Sequence, residues 1–398
     1  MKKLLAMALA TVIAAGMFTG CAPKPAESSA DSAGTNNTES SAPASGEAIK
    51  LGVLAPLTGE VSVYGVAAKN GIELAVEEIN KAGGVLGSQL ELMIEDEKGD
   101  VSEAVNGYNK LMSKGMVALL GDVTSKPTMA VAELAAADGL PMITATGTAL
   151  PITTYGPNVF RTCFTDPFQG RIMAKFAAEN LKAKNVAIVY NTSDDYSTGL
   201  VAAFEEMAAS KGVTIVAKEG YGADDKDFKA QLTKIAAAKP DALFVPDYYT
   251  KVALIATQAR EVGFTGPMLG ADGWDGVLGT LDEANQSVVN GCYISNHYSA
   301  QDTDAKVAGF VKAYTEKYGE TPNAFAALGY DTAYMMAQAI TNAGNTDAQA
   351  IVDAMKAIEF DGVTGHITFD ADNNPIKDAT ILKLMDGAAN FDSKVAAE

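Results

Sequence analysis

Residues 51–60, Leu-Gly-Val-Leu-Ala-Pro-Leu-Thr-Gly-Glu, decide the fold class, because an apolar run passes into a glycine-containing loop. The run at 51–55 has the composition of a buried strand. The next segment repeats apolar residues at the spacing of one helix face: Ala68, Ile72, Ala75, Val76 and Ile79. This pattern ends at Gly83 and Gly84, a common helix stop. Strand, loop and amphipathic helix in this order predict a parallel α/β sheet.

The same alternation continues along the chain and then starts again after residue 160. In the first half, further strands are predicted at 90–94, 117–121 and 141–144, with helices at 101–112 and 127–137. In the second half, the predicted strands are 186–190, 213–217, 242–246 and 267–270, with helices at 199–209, 228–238 and 252–262. Residues 296–344 are helical in pattern and return to the first half, and late strands follow at 365–370 and 381–385. We therefore predict an α/β protein of two doubly wound parallel-sheet lobes that face each other.

The N-terminus carries the features of an export signal. Met1-Lys-Lys precedes a short apolar stretch, and Phe18-Thr-Gly-Cys21 follows it, so residues 1–20 resemble a bacterial lipoprotein signal with Cys21 as the acylated residue. Phe18 departs from the leucine usual at that place. Residues 21–48 are mostly Pro, Ser, Ala, Gly and Asn, a composition that predicts a flexible tether. The alternative is an ordinary secreted protein with a fortuitous cysteine.

Composition excludes several function classes. A net charge of −19 argues against nucleic acid and against anionic lipid surfaces as partners of the folded part. The two histidines, His297 and His366, stand far apart without ligand-spaced partners, so no metal is predicted and both are interpreted as structural. The loops after the first strand of each half lack the glycine-rich turn of a dinucleotide site, and no nucleophile–base motif is present. We predict no cofactor and no enzymatic activity.

The first half offers hydroxyls at predicted strand ends, where ligands of open α/β sheets bind. These residues are Thr58, Tyr64, Thr124, Ser125, Thr146 and Thr148. Hydroxyls and free backbone N–H groups at a helix start suit a carboxylate without any arginine. Only Arg161, Arg171 and Arg260 occur in the chain, none in an obvious loop at a strand end. On its own, Ser125 is equally consistent with capping the helix at 127.

The second half offers an acid and aromatic rings at the corresponding places: Tyr196, Asp247, Tyr248, Tyr249 and Asp272. An acid beside aromatic faces suits an ammonium group. Each tyrosine taken alone is better explained by packing beneath a loop. Together, a carboxylate site on one lobe and an ammonium site on the other predict a zwitterionic α-amino acid as the ligand.

In order and spacing, the chain resembles the leucine/isoleucine/valine-binding family of ABC-transporter substrate-binding proteins, which have the type I periplasmic-binding-protein fold. The motifs that carry the resemblance are 52–59, Tyr64-Gly65, Asn70-Gly71, Asn80-Lys-Ala-Gly-Gly, 121–128, Thr146-Gly-Thr148, Asp195-Tyr196 with Gly199, Asp227-Phe228 and 247–249. The resemblance implies lobes joined by a multi-strand hinge, with the ligand cleft between them. It divides the chain into lobe 1 (49–162), lobe 2 (163–292), a return to lobe 1 (293–362), and a hinge crossing with the C-terminal part of lobe 2 (363–398).

The same resemblance assigns roles to single residues. Ser125 and Thr148 would hold the ligand α-carboxylate with backbone help near Thr146. Tyr196, Tyr248 and Asp272 would surround the α-ammonium, and Tyr64 would cover the ligand side chain. This chain has Asp272 where glutamate is frequent, Lys126 where small residues are common, and Asp247 in place of a frequent glycine. The extra charges bring branched-chain specificity into question.

These observations predict a lipid-anchored, extracytoplasmic, monomeric solute-binding protein that delivers an amino acid, most simply Leu, Ile or Val, to the permease of an ABC importer. An aromatic or polar amino acid or an amide as ligand, and a role as a ligand sensor, remain alternatives. By the family's architecture Cys163 and Cys292 lie near the lobe crossings and could be neighbours at the hinge. We predict two free thiols there, with a disulfide as the alternative.

Overall fold

The computed structural model describes residues 46–397. The predicted signal peptide (1–20), Cys21 and nearly all of the predicted tether (21–48) lie outside the described residues. Within 46–397, none of the helices is both long enough and apolar enough to cross a membrane.

The first sheet has five parallel strands in the order β2-β1-β3-β4-β5. The strands are β1 (Ile49–Ala55), β2 (Leu90–Asp96), β3 (Ala118–Leu120), β4 (Met142–Thr144) and β5 (Val159–Arg161). They alternate with α1 (Ser62–Lys81), α2 (Val101–Ser113) and α3 (Ser125–Asp138). Strand β1 is buried at six of its positions, with only Lys50 partly exposed. Such continuous burial explains its near-continuous apolar sequence, since helices cover both faces of a parallel sheet.

The second sheet has seven strands in the order β15-β14-β10-β9-β8-β6-β7. Its parallel part consists of β6 (Asn185–Asn191), β7 (Thr214–Tyr221), β8 (Ala242–Phe244), β9 (Met268–Gly270) and β10 (Cys292–Asn296). The intervening helices are α4 (Asp166–Glu179), α5 (Asp195–Ser210), α6 (Lys229–Ala238), α7 (Tyr249–Glu261) and α8 (Val277–Thr280). Strands β14 (Ala379–Met385) and β15 (Ala388–Val395) are added at one edge in antiparallel orientation.

The chain then returns to the first lobe through α9 (Ala305–Tyr318), α10 (Ala324–Ala343) and α11 (Ala348–Lys356). Helix α10 packs along α1 with the two backbones in close contact. A Cβ at Gly71 would lie 2.0 Å from the carbonyl oxygen of Ala326, and one at Gly329 would lie 2.2 Å from that of Ala68. The two glycines therefore permit a helix contact that any larger residue would prevent.

The return to the first lobe differs in detail from the predicted division. The boundary predicted between 292 and 293 falls inside β10, which continues the second sheet to Asn296. A small antiparallel sheet follows α11, made of β11 (Phe360–Gly362), β12 (Gly365–Phe369) and β13 (Pro375–Ile376). Ile367 and Phe369 of β12 pack on the core beneath the first sheet, so the segment after 363 begins against the first lobe. The predicted strand at 365–370 corresponds to β12, whereas β11 and β13 are too short to give an apolar run and were not predicted from the sequence.

The two lobes touch each other across the cleft. One continuous apolar core includes Tyr64 and Ala67 of α1 together with Tyr249 and Trp274 of the second lobe. A carboxylate oxygen of Asp275 also accepts a hydrogen bond from the backbone N–H of Ala324, at 2.9 Å. The structure therefore shows the cleft in a closed arrangement.

Candidate functional site

Ten residues from both lobes line a small cavity at the carboxyl ends of the parallel strands. They are Val123, Thr124, Ser125, Thr146, Thr148, Tyr196, Tyr248, Asp272, Gly273 and Phe325. We call the five from 123–148 the first wall, and Tyr196, Tyr248, Asp272 and Gly273 the second wall. The cavity between them has a volume of only about 10 Å³, roughly the space of one water molecule. The two walls therefore lie close together in the closed arrangement of the lobes.

The first wall is built from the loops that follow β3 and β4, together with the start of α3. Helix α3 begins at Ser125, and the preceding residue, Thr124, has extended backbone and makes no side-chain capping hydrogen bond. Ser125 is therefore the first helical residue, and its hydroxyl accepts a hydrogen bond from the backbone N–H of Ala149 at 3.2 Å instead of capping the helix. The uncapped N-terminus of α3 leaves the backbone N–H groups of Ser125 and Lys126 without a capping side chain, and a helix start of this kind favours a nearby anion.

Hydrogen bonds within the first wall fix its shape. The Thr146 hydroxyl donates to the carbonyl of Val123 at 2.7 Å, tying the two loops together. Behind them, the guanidinium of Arg161 is fully buried and donates to the carbonyls of Gly147 at 3.0 Å and Ala149 at 2.9 Å. Arg161 thus supports the loop from behind and is absent from the cavity lining.

The second wall centres on Asp272, which is buried and accepts three side-chain hydrogen bonds. Its Oδ1 accepts from the Tyr196 hydroxyl at 2.9 Å and from Nε2 of Gln169 at 3.0 Å. Its Oδ2 lies 3.3 Å from Nε2 of His297. Burial lowers the pKa of His297 to about 4, although the hydrogen bond to Asp272 opposes the shift, so this imidazole is neutral at pH 7. Because a carboxylate only accepts, the imidazole proton lies on Nε2.

Further contacts hold the second wall in place. Gln169 also accepts from the backbone N–H of Asp272 at 3.0 Å and from the Ser295 hydroxyl at 2.9 Å. The Tyr196 ring stacks on Tyr248 with centroids 4.9 Å apart. Its hydroxyl accepts from the backbone N–H of Gly273 at 2.8 Å. Asp272 is therefore fixed in orientation before any ligand arrives.

Six of the seven predicted site residues line the cavity, and Tyr64 does not. The Tyr64 ring lies behind Phe325, stacked with centroids 4.1 Å apart, and Phe325 forms the cavity surface. The Tyr64 hydroxyl donates to the carbonyl of Gly273 and accepts from the backbone N–H of Tyr249 at 3.0 Å. Tyr64 belongs to α1 of the first lobe, so its hydroxyl joins the two lobes.

The extra charges noted in the sequence do not enter the cavity. Lys126 is exposed. Asp247 is buried with its carboxylate turned to the Tyr221 hydroxyl and to the backbone N–H of Tyr248, at 2.6 Å. Burial raises the pKa of Asp247 to about 6. Neither Lys126 nor Asp247 is among the residues that line the cavity, so in this arrangement neither contributes charge to the cavity surface.

Sequence reasoning missed Phe325, Gln169 and His297. Phe325 stands near the start of α10, more than 170 positions after the first-wall loops, and an apolar helix residue carries no signal that separates a cavity wall from a core position. Gln169 lies inside α4 and His297 directly after β10. Only their contacts with Asp272 reveal their role.

Cys163 and Cys292 are free and buried, as predicted. They have separate surroundings: the Cys163 thiol donates to the carbonyl of Gly147 at 3.2 Å, and Cys292 lies 3.8 Å from the guanidinium of Arg260. Burial raises their pKa values to about 12 and about 11. The expectation that they are neighbours at the hinge is not met, because they belong to different clusters of the core.

Comparison with known proteins agrees with this architecture. The sequence model of a family described as periplasmic binding protein matches residues 48–389. The chain is 33% identical over 328 residues to the Leu/Ile/Val-binding protein BraC3 of Rhizobium johnstonii, covering 81% of this chain and 87% of that protein. Among solved structures, it is similar to the leucine-binding protein LivK of Thermotoga maritima, with 32% identity, a TM-score of 0.81, and coverage of 87% of this chain and 99% of that one. The branched-chain amino acid substrate-binding protein LivJ of Streptococcus pneumoniae, solved with isoleucine, gives 34% identity, a TM-score of 0.80, and coverage of 88% and 100%.

The chain therefore belongs to the periplasmic binding protein family, in its branched-chain amino acid-binding branch. The predicted two-lobed α/β fold is confirmed. The protein is a substrate-binding protein of the kind that serves ABC transporters, and it is not an enzyme.

Proposed function

We propose that this protein captures a branched-chain α-amino acid outside the cytoplasm and delivers it to the permease of an ABC importer. The observation that carries the proposal is the opposition of the two walls. The open N-terminus of α3 stands on one side of the cavity, and the fixed carboxylate of Asp272 stands on the other. Such a pair matches the two charged ends of a zwitterion.

The first wall suits the α-carboxylate. Backbone N–H groups at a helix start and the hydroxyls of Ser125 and Thr148 favour negative charge. No arginine lines the cavity, so a free inorganic anion would lack the bidentate partner that anion sites commonly use.

The second wall suits the α-ammonium. Asp272 supplies the opposite charge, and the faces of Tyr196 and Tyr248 add a favourable electrostatic contact with a cation. A buried charge needs such a partner, because removing one member of a buried pair costs about 3–5 kcal/mol.

The remaining lining residues favour an aliphatic side chain. Val123, Phe325 and the Tyr248 ring are the apolar surfaces of the cavity, and neither Lys126 nor Asp247 is among its lining residues. The relatives named for Leu, Ile and Val and the LivJ complex with isoleucine support the same ligand class.

Ligand binding would stabilise the closed lobes, which is the form that a permease would recognise.

We further propose that Cys21 carries a lipid anchor, that the protein acts as a monomer, and that the lobes divide near the predicted boundaries with β10 assigned to the second lobe. Changing Cys21→Ser should release the protein from the membrane fraction, because the sequence between 22 and 48 offers no other apolar anchor. Firm membrane attachment of the processed variant would contradict the anchor.

The direct test of the ligand is calorimetric titration of the protein lacking residues 1–21 against each of the amino acids. We expect tight binding of Leu, Ile or Val. At a hundredfold excess over its dissociation constant, the ligand should raise the unfolding free energy by about 2.7 kcal/mol. Binding restricted to aromatic or charged amino acids would contradict the branched-chain assignment.

A further inference from the structure

Asp275 is an acid of the second lobe that binds the first lobe beside the cavity. It directly follows the single-turn 3₁₀ helix Asp272–Trp274. Its Oδ2 accepts a hydrogen bond from the backbone N–H of Ala324 at 2.9 Å. Ala324 is the first residue of α10, which packs along α1 in the first lobe. A carboxylate of one lobe therefore binds the helix start of the other.

The start of α10 leaves an N–H group free for this contact. Its N-cap residue is Asn323, whose side chain accepts a hydrogen bond from the backbone N–H of Ala326 at 3.1 Å. The first N–H groups of a helix have no partner within the helix, and the helix N-terminus carries a partial positive charge. The carboxylate of Asp275 thus supplies the acceptor for Ala324 and a charge of the favourable sign.

Contacts within the second lobe hold the carboxylate in position. Nδ2 of Asn296, at the end of β10, donates to the same Oδ2 at 3.2 Å. The backbone N–H of Asp275 donates to the carbonyl of Asp272 at 2.9 Å, and the indole N–H of Trp274 donates to the carbonyl of Val245 at 2.7 Å. The turn that carries Asp275 is therefore fixed by its own lobe, and closure of the lobes brings α10 to it.

On both lobes this contact adjoins a residue that lines the cavity. In the second lobe, the turn before Asp275 begins with the cavity residue Asp272. In the first lobe, the residue after Ala324 is Phe325, which also lines the cavity. A ligand held between the walls therefore contacts the same two chain segments that Asp275 joins.

We propose that Asp275 is a positioning residue that holds the lobes closed over the ligand and keeps Phe325 at the cavity. This inference rests on the proposed function. Because donor and acceptor belong to different lobes, the hydrogen bond stabilises the closed form and neither lobe by itself. A ligand enters while the lobes are open and leaves only after they reopen. Loss of the contact should therefore speed ligand release and leave ligand capture nearly unchanged.

The experiment measures the release of radiolabelled leucine from the protein into an excess of unlabelled leucine, together with the association rate. We expect Asp275→Ala to release leucine about tenfold faster than wild type, as for the loss of one charge-assisted hydrogen bond. Its association rate should stay within about twofold. Asp275→Asn keeps an oxygen that can accept from Ala324, so its release should stay within about threefold of wild type.

A second variant removes the donor and leaves Asp275 in place. Ala324→Pro has no backbone N–H, and proline suits the first position of a helix. We expect it to release leucine at least about tenfold faster than wild type. The matched control is Asp100→Ala, because its carboxylate accepts from the backbone N–H of Ser102 at 2.8 Å within the first lobe. This control should lose stability and keep the wild-type release rate.

The outcomes separate the two proposals. Leucine release at the wild-type rate from folded Asp275→Ala or Ala324→Pro would overturn the role of Asp275 and leave the proposed function intact. Equally fast release from Asp100→Ala would also overturn it, because loss of a helix cap alone would then explain the effect. Failure of the wild-type protein to bind any amino acid would contradict the proposed function and this inference with it.

Discussion

The two walls of the cavity reach the same degree of burial by different means. The first wall consists of short loops whose hydroxyls are bonded to neighbouring backbone, and it presents N–H groups at the start of α3. The second wall presents side chains, with Asp272 held by Tyr196, Gln169 and His297. Recognition from backbone groups tolerates single substitutions, whereas recognition from one charged side chain does not. The walls should therefore differ strongly in their response to mutation.

The largest effect is expected for Asp272→Ala. It should weaken amino-acid binding by at least ~100-fold, because a buried ammonium loses its charged partner at a cost of about 3–5 kcal/mol. Calorimetry measures the affinity. The exposed Glu283→Ala is the control and should bind as wild type. Near-native affinity in a folded Asp272→Ala variant would contradict the assignment of the ammonium site to the second wall.

The same variant should also lose stability, which an acid in an open cleft would not predict. Asp272 is 2% exposed, and its removal leaves three buried donors without an acceptor. Each such loss costs about 1–3 kcal/mol.

The next largest loss of affinity is expected when the Tyr64 hydroxyl, which joins the two lobes, is removed. Tyr64→Phe keeps the stacking on Phe325 but removes the hydroxyl that bonds across the lobes to Gly273 and Tyr249. Two hydrogen bonds at about 0.5–1.5 kcal/mol each predict a roughly tenfold loss of affinity, mainly through faster ligand dissociation. Stopped-flow kinetics measure the rate. Tyr108→Phe is the matched control, because its hydroxyl bonds to Asp138 within the first lobe. Equal dissociation rates in all three proteins would show that Tyr64 has no role in closure.

A smaller effect is expected on the first wall. Ser125→Ala removes one hydroxyl but leaves the backbone N–H groups at the start of α3 in place, so affinity should fall by only about two- to tenfold. The exposed Ser113→Ala serves as the control in the same titration. A loss as large as that of Asp272→Ala would contradict the distinction between the walls.

The smallest effect on binding is expected when one member of a buried acid pair, Glu97 and Asp122, is replaced. Glu97 and Asp122 lie close together and are fully buried. Burial raises the pKa of Glu97 to about 7, and burial together with Glu97 raises that of Asp122. In the unfolded chain both ionise near pH ~4. The folded protein then binds more protons between about pH 5 and pH 7, so the unfolding free energy falls as pH rises through this range.

Glu97→Gln should flatten this dependence and leave amino-acid affinity within about twofold of wild type. Urea unfolding at several pH values between 5 and 8 measures the slope. The exposed Glu103→Gln should keep the wild-type slope. An unchanged slope in Glu97→Gln would mean that the pair does not hold a proton in the folded protein.

The sequence was sufficient to predict the alternation of strands and helices, because buried parallel strands are apolar along their length. It also located Ser125, Thr148 and Asp272, since residues that follow parallel strands gather at one edge of a sheet. It could not distinguish the position of Tyr64 behind the cavity from a position over the ligand, because both require an aromatic residue at the start of α1. Gln169 and His297 act through tertiary contacts with Asp272 and carry no local pattern, so only the structure reveals them.

The central claim is that the two walls bind opposite ends of one zwitterion. It is tested most directly by calorimetry with leucine and with 4-methylpentanoate, which lacks the amino group, on the wild-type protein and on Asp272→Ala. We expect the wild-type protein to prefer leucine by at least ~100-fold, and Asp272→Ala to prefer it by less than about tenfold, because the ammonium partner is gone. An equal preference for leucine in both proteins would contradict the claim.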